Sequence, residues 1–288
     1  MTRNGTGQQP DKTWLGTGGQ PDDRQPGRTW IGTSWKMNKT LAEARAFVDG
    51  LVAARSALDG VRAFVIPAHT ALAAVRERLP ADVPVLIGAQ NAHWEPAGAY
   101  TGEVSMGMVA DAGATLVEIG HSERREYFGE TDDTVALKVE AAIAAGLTPL
   151  LCVGEPAEVR AAGGEIDWVA GQVGRALSRL AAHDLHRVVI AYEPVWAIGD
   201  LGREALPYEI APVMGMLAAR FGPDGESPGR VAAVLYGGSV NRLNAAALLG
   251  VPGTDGLFIG RAAWDVAEFL ELARIGARAG HAGGPDAR

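Results

Sequence analysis

The sequence predicts an α/β protein built as a single-domain (β/α)8 barrel. Three observations carry this reading. Eight short apolar or β-branched runs recur along the chain, and segments rich in Ala, Leu, Glu and Arg with helical period lie between them. The stretch expected to be ordered is close to the roughly 250 residues that eight such units need. A doubly wound open sheet is the competing arrangement, but its glycine fingerprint is missing after the first strand.

The first 28 residues are Gly, Gln, Asp and Pro-rich. They hold too little apolar surface to offset the entropy of ordering, so a disordered leader is expected. "TWIGTSW" (29–35) is the first strand, and the helical segment "LAEARAFVDGLVAAR" follows it. "RAFVIP" (62–67) leads into "HTALAAVRERL", and "PVLIGAQ" (84–90) leads, through a longer connection, into "SMGMVADAG". "ATLVEIG" (114–120) is followed by the short helix "SERREYF" and then by "TDDTVALKVEAAIAAG". "LTPLLCVG" (147–154) precedes "DWVAGQVGRALSRLAA", and "RVVIAYEP" (187–194) precedes "LPYEIAPVMGMLAARF". "VAAVLYGG" (231–238) with "NRLNAAALL", and "TDGLFIG" (254–260) with "DVAEFLELARIG", complete the set. The barrel is expected over 29–276, with a disordered tail from 277 to 288.

The chain has 288 residues, 47% of them hydrophobic and 21% charged, with a net charge of -8. A nucleic-acid surface would need clustered Lys and Arg, and no such run is present. The one cysteine, Cys152, excludes an internal disulfide and fits a reducing compartment. No stretch approaches the ~20 apolar residues that span a bilayer, and the first residues lack an apolar signal core. A cytoplasmic location is expected, with no membrane and no nucleic-acid partner.

A barrel of this kind places its chemistry at the carboxyl ends of the strands. Lys36, in "SWKMNKT", follows the first strand and would point its ammonium into the mouth. Taken alone, it reads better as a lysine snorkelling from a strand end, and the residues that follow shift that balance. His121 follows the fourth strand beside the start of a short helix, whose partial positive charge favours a neutral ring able to donate a hydrogen bond. Glu193 ends the sixth strand, and Pro194 keeps it out of helical conformation. The segment after it, "PVWAIGDLG" (194–202), has the stiff and small-residue ends of a lid that expels water. "LYGGSVN" (235–241) and "IGRAAW" (259–264) suit phosphate binding through backbone N–H groups. His69, His93, His183, His186 and His281 read as ordinary polar histidines. The "HDLH" pair at 183–186 sits in a surface connection, so no metal and no cofactor are expected.

"WKMN", "EIGHSERR", "AYEPVWAIG", "YGGSV" and "DGLFIG" stand in that order across residues 30–274. Together they resemble the triosephosphate isomerase family, whose TIM barrel uses a glutamate base, a neutral histidine and a closing loop. The resemblance implies that Glu193 moves the proton, His121 polarises the carbonyl and Lys36 stabilises the enediolate. Gly199, Ser239, Gly260 and Arg261 would meet the phosphate of a small phosphorylated sugar, with Glu123 and Glu130 as supporting ion-pair partners. The stretch 89–105, with Trp94 and Tyr100, matches the family's dimer loop and implies a homodimer.

Three positions depart from the family pattern. Ser34 stands where an asparagine is usual, "DLG" at 200–202 replaces the usual end of the lid, and Gly260-Arg261 replaces a glycine pair. With "GTSWKMNKTLAEAR", His93-Trp94 and Trp264, these are similar to the branch that isomerises L-erythrulose 1-phosphate to D-erythrulose 4-phosphate. That ketose has one hydroxymethyl more than dihydroxyacetone phosphate, and serine at position 34 leaves it room. Two readings compete with this one: the glycolytic interconversion of dihydroxyacetone phosphate and glyceraldehyde 3-phosphate, and a non-catalytic barrel that binds phosphosugars.

Overall fold

The computed structural model describes residues 28–199, 202–223 and 230–282. The leader through residue 27, Asp200 and Leu201 of the expected lid, and the tail from 283 lie outside the described residues.

Eight parallel strands close into a barrel in sequence order. They are β1 (Thr29–Ser34), β2 (Val61–Ile66), β3 (Val85–Ala89), β4 (Leu116–Ile119), β5 (Thr148–Val153), β6 (Val189–Tyr192), β7 (Ala233–Gly238) and β8 (Gly256–Ile259). The helices are α1 (Leu41–Ala53), α2 (His69–Arg78), α3 (Met106–Asp111), α4 (Ser122–Phe128), α5 (Asp132–Ala144), α6 (Ala157–Ala161), α7 (Glu165–Leu177), α8 (Pro207–Phe221), α9 (Ala245–Leu249) and α10 (Val266–Ala282). Local chemistry sets several of these starts. Thr40 and Glu43 cap α1 reciprocally, Pro207 opens α8, and the Ser105 hydroxyl accepts from the Met108 N–H at the head of α3. No helix among the described residues is long and apolar enough to cross a membrane.

Strand residues alternate between two clusters, as a period of two requires. Trp30, Phe64, Leu116, Leu150, Cys152, Val189, Leu235 and Phe258 pack inside the barrel. Their neighbours Ile31, Val65, Val117, Leu151, Ile190, Val234 and Leu257 pack outward, in one cluster with the helices. The same parity therefore assigns Ser34 and Glu118 to the inside and places Glu193 and Gly237 above them, at the mouth.

Most strand bounds shift by one or two residues from expectation, and two differences bear on the expected site and tail. β6 stops at Tyr192, so Glu193 is the first residue beyond it, although its N–H still bonds Val153 O at 2.7 Å. The helix expected to end at Gly276 continues to Ala282, which corrects a tail starting at 277. The physical reason is packing. Ala277 lies against the outer cluster, and Gly276 sits so close to Ile31 that a Cβ there would be 2.7 Å from its Cγ1.

The barrel closes where β8 meets β1, in the register Trp30 with Gly256. A Cβ on Gly256 would stand 2.1 Å from the Trp30 carbonyl oxygen. We predict that Gly256→Ala forces the seam apart and destabilises the protein by about 3 kcal/mol, read as a lowered midpoint in urea unfolding. An unchanged midpoint would show that the seam yields freely.

Candidate active site

The strand ends bring Ser34, Lys36, His121, Glu123, Glu193, Gly199, Ser239, Gly260 and Arg261 around one cavity of about 410 Å3. Of the residues singled out in the sequence, Glu130 alone lies behind this cavity. His69, His93, His183 and His186 stay outside it. His69 bonds the Asn91 carbonyl, His93 stacks on Trp94, and His186 bonds the His183 carbonyl. Among the described residues no three His, Cys, Asp or Glu side chains gather as metal ligands.

Lys36 has a φ of 50°, in the left-handed region that a lysine occupies at some cost. Its surroundings hold it there. Gln90 Nε2 donates to Lys36 O at 2.8 Å, Trp35 N–H continues the ladder to Ile66 O at 3.0 Å, and Asn38 Nδ2 donates to Trp35 O at 2.9 Å. The Lys36 Nζ donates to Glu123 Oε1 at 2.6 Å. Burial pushes its pKa down, but the bond to Glu123 and the carboxylates of Glu123, Glu193 and Glu118 outweigh that, so the ammonium is held above its usual range.

His121 caps α4. The Glu123 N–H donates to its Nδ1 at 3.1 Å, which makes Nδ1 an acceptor and leaves the ring proton on Nε2. That Nε2 faces Glu193 Oε2 at 3.6 Å, too long for a hydrogen bond. Glu193 Oε2 is buried and has no protein partner. A donor and an acceptor are thus held side by side without satisfying one another, which is the arrangement of an acid–base pair awaiting a substrate.

Glu193 has almost no freedom to turn away. A Cβ on Gly237 would lie 2.8 Å from its Oε1, so only glycine leaves room for the carboxylate. Below it, burial first and the charges of Glu193 and Glu118 next push the Cys152 thiol up, so it stays a thiol. Glu130 anchors the next layer. Its Oε1 accepts from the Gly120 N–H at 2.8 Å, and its Oε2 accepts from Arg124 at 2.8 Å and from Lys138 at 2.7 Å. This fixes the backbone immediately before His121.

The segment after Glu193 is clamped at both ends. Trp196 Nε1 donates to Glu155 Oε1 at 2.8 Å, while Arg160 and Arg203 stack on its ring at 4.7 and 4.4 Å. Nearer the tip, Ser239 Oγ donates to Ala197 O at 2.9 Å and Arg261 donates to Gly199 O at 3.1 Å. The side chain of Arg261 therefore joins the cavity wall and ties the loop after β8 to the segment after β6.

Glu118 lines the same cavity and escaped the sequence reading. The signal was present: a lone carboxylate in the apolar run "ATLVEIG", two residues after the inward Leu116. It is 4% exposed, and its Oε2 has no partner. Burial pushes its pKa up, Glu193 adds to the rise, and His121, Ser34 and Lys36 oppose it, with the balance at about 7.

The raised pKa fixes the sign of a pH effect. Between 4.5 and about 7 the folded state holds a proton that the unfolded chain has released, so stability falls as pH rises through that window. We predict that wild-type stability drops on the order of 3 kcal/mol more than that of Glu118→Gln between about pH 5 and about pH 8. Parallel pH profiles of the two proteins would remove Glu118 as the cause.

The sequence model of the triosephosphate isomerase family matches residues 29–276. A protein of Mycolicibacterium smegmatis named L-erythrulose-1-phosphate isomerase is 51% identical over 247 residues, 85% of this chain and 91% of its own length. A protein of the same name from Rhizobium meliloti is 50% identical over 251 residues, covering 85% and 96%. One from Brucella abortus is 47% identical over 248 residues, covering 83% and 93%. With the closed barrel and the site at its mouth, these matches show that the chain belongs to the triosephosphate isomerase family.

Proposed function

We propose that this protein is a cofactor-independent ketose-phosphate isomerase that interconverts L-erythrulose 1-phosphate and D-erythrulose 4-phosphate. The observation that carries the chemistry is the unpartnered Glu193 Oε2 beside His121 Nε2 in a cavity that also holds the Lys36 ammonium. The names and high identity of the relatives support the four-carbon substrate.

In this mechanism Glu193 removes the proton from C3, the carbon bearing a hydroxyl beside the C2 carbonyl. The released electron pair forms the C2–C3 double bond, and the C2 oxygen takes up the charge as an enediolate. His121 Nε2–H and the Lys36 ammonium stabilise that oxygen. His121 passes a proton from the C3 oxygen to the C2 oxygen, and Glu193 returns its proton to C2, leaving the ketone at C3. The oxidation level of the molecule as a whole is unchanged, so no redox partner is required. The phosphate lies against Gly199, Ser239, Gly260 and Arg261, at the end of the cavity built from the β6, β7 and β8 loops. The segment 194–202 serves as the lid over it, with Trp196 anchoring its first residues.

The proposal extends to the setting. The buried, unpaired Cys152 thiol fits a reducing cytoplasm. A second copy of the chain covers the loop 89–105, where His93 stacks on Trp94 at 4.1 Å and meets the tilted Tyr100 ring at 4.5 Å while Tyr100 remains 44% exposed. Met37 is 96% exposed, and the neighbouring Lys36 carbonyl accepts from Gln90 of this loop at 2.8 Å.

Glu193→Gln keeps the shape of the side chain but removes the base. We predict a fall in kcat of about a thousandfold with KM changed much less, and turnover near that of the wild type would sink the mechanism. The substrate is tested by kcat/KM for L-erythrulose 1-phosphate and dihydroxyacetone phosphate on one sample. A preference of about tenfold or more for the four-carbon ketose, about 1.4 kcal/mol, is expected, and the reverse preference would assign the triose reaction. Sedimentation should give twice the chain mass for the wild type and a shift toward the chain mass for Tyr100→Glu. A wild type that sediments as a single chain would overturn the dimer.

A further inference from the structure

We infer that Glu118, together with Ser34, forms the subsite that recognises the terminal hydroxyl of the four-carbon substrate, with Glu118 Oε2 accepting its hydrogen bond. This deepens the function proposed above and rests on it.

Strand parity supplies the first argument. Glu118 stands two residues after Leu116 on β4 and across the ladder from Leu150, both of which belong to the apolar interior. The inward positions around and beneath it carry Phe64, Ile66, Leu150 and Cys152. A carboxyl in such a layer is expensive to bury, and an acceptor left without a partner costs about 1–3 kcal/mol more. Yet Glu118 Oε2 has no partner in the protein, and the side chain lines the cavity. The missing partner is therefore a donor that arrives with the ligand.

Its place within the cavity identifies that donor. Glu118 shares its wall of the cavity with Ser34, Lys36, His121 and Glu193. These are the groups at the reacting carbons. The loops proposed for the phosphate follow β6, β7 and β8, whereas Glu118 rises from β4. A phosphate is disfavoured at the Glu118 end, because it would repel the carboxyl whenever that group is ionised, and with a pKa of about 7 that holds for a large share of molecules at neutral pH. An uncharged O–H is not. In the four-carbon ketose, C4 with its hydroxyl is attached to the carbon that Glu193 deprotonates, and a three-carbon substrate has nothing there. Glu118 would thus distinguish the two ketoses and also fix which end of the substrate faces inward.

Ser34 completes the subsite by what it omits. Its carbonyl is held by Trp264 Nε1 at 2.8 Å, and Trp264 O in turn accepts from Lys39 Nζ at 2.6 Å, so the backbone is fixed. The short side chain fills less of the cavity than an asparagine would, and it lines the same cavity as Glu118.

The test compares kcat/KM for L-erythrulose 1-phosphate with that for its 4-deoxy analogue, which keeps the carbon skeleton and replaces the terminal hydroxymethyl by methyl. The wild type should favour the hydroxylated ketose by about 100-fold or more, because a site built to bind a hydroxyl rejects a ligand lacking it. Glu118→Leu should lower that ratio at least tenfold, whereas a merely structural role would reduce both rates together. If Glu118→Leu fails to fold by circular dichroism, the isosteric Glu118→Gln replaces it, with a severalfold loss of the ratio expected. A wild-type ratio below about threefold, or a ratio preserved in a folded variant, overturns the role of Glu118 while leaving tetrulose isomerisation standing. A wild type inert toward the four-carbon ketose but active on dihydroxyacetone phosphate overturns the substrate reading itself.

Discussion

Closure of the barrel between β8 and β1 is the constraint on which the site depends. It sets Ser34 and Lys36, from the first strand and its loop, beside Gly260, Arg261 and Trp264, from the last. Two hydrogen bonds cross that seam at the mouth, Trp264 Nε1 to Ser34 O and Lys39 Nζ to Trp264 O. An open sheet of the same strands would leave these residues on opposite edges. The glycine at 256 is part of the same device, since it lets the two backbones approach at the seam.

The mouth so formed gathers several ionisable groups where solvation is poor. Glu118 and Glu193 are both buried, Glu123 is half-buried, and the Lys36 ammonium is the cation set among them. Like charges at close range cannot all be satisfied, so the pocket keeps strain in the form of unpartnered oxygens on Glu118 and Glu193. A second group of charges behaves differently. Glu130 accepts from Arg124, Lys138 and the Gly120 N–H, and Lys138 also donates to Asn91. That network holds the turn leading into His121 rigid, while the unsatisfied groups above it are left for a ligand.

Rigidity and openness are thus divided between layers. The left-handed Lys36 is over-determined by Gln90, Asn38 and the β2 ladder, and His121 is fixed by the first turn of α4. Among the described residues, the segment after Glu193 is anchored at Trp196 by Glu155 and by the ring's contacts with Arg160 and Arg203, and further along it Ala197 O and Gly199 O accept from Ser239 and Arg261.

The sequence by itself determined the eight βα units, the residues at their carboxyl ends and the family, because strand and helix periodicity and short motifs are local properties. It also pointed to Lys36, His121 and Glu193, since a polar residue ending an apolar run is visible without a structure. Glu118 carried the same kind of signal but lay inside its run, and only barrel closure decided that its face meets the cavity instead of a second layer of helices. The fate of Arg261, the reach of α10 to Ala282 and the placing of Glu130 behind His121 were likewise tertiary decisions. Each rests on contacts between residues far apart in the chain, such as Arg261 with Gly199 or Gly276 with Ile31. Local propensity has no access to those distances; they exist only once the sheet has closed on itself.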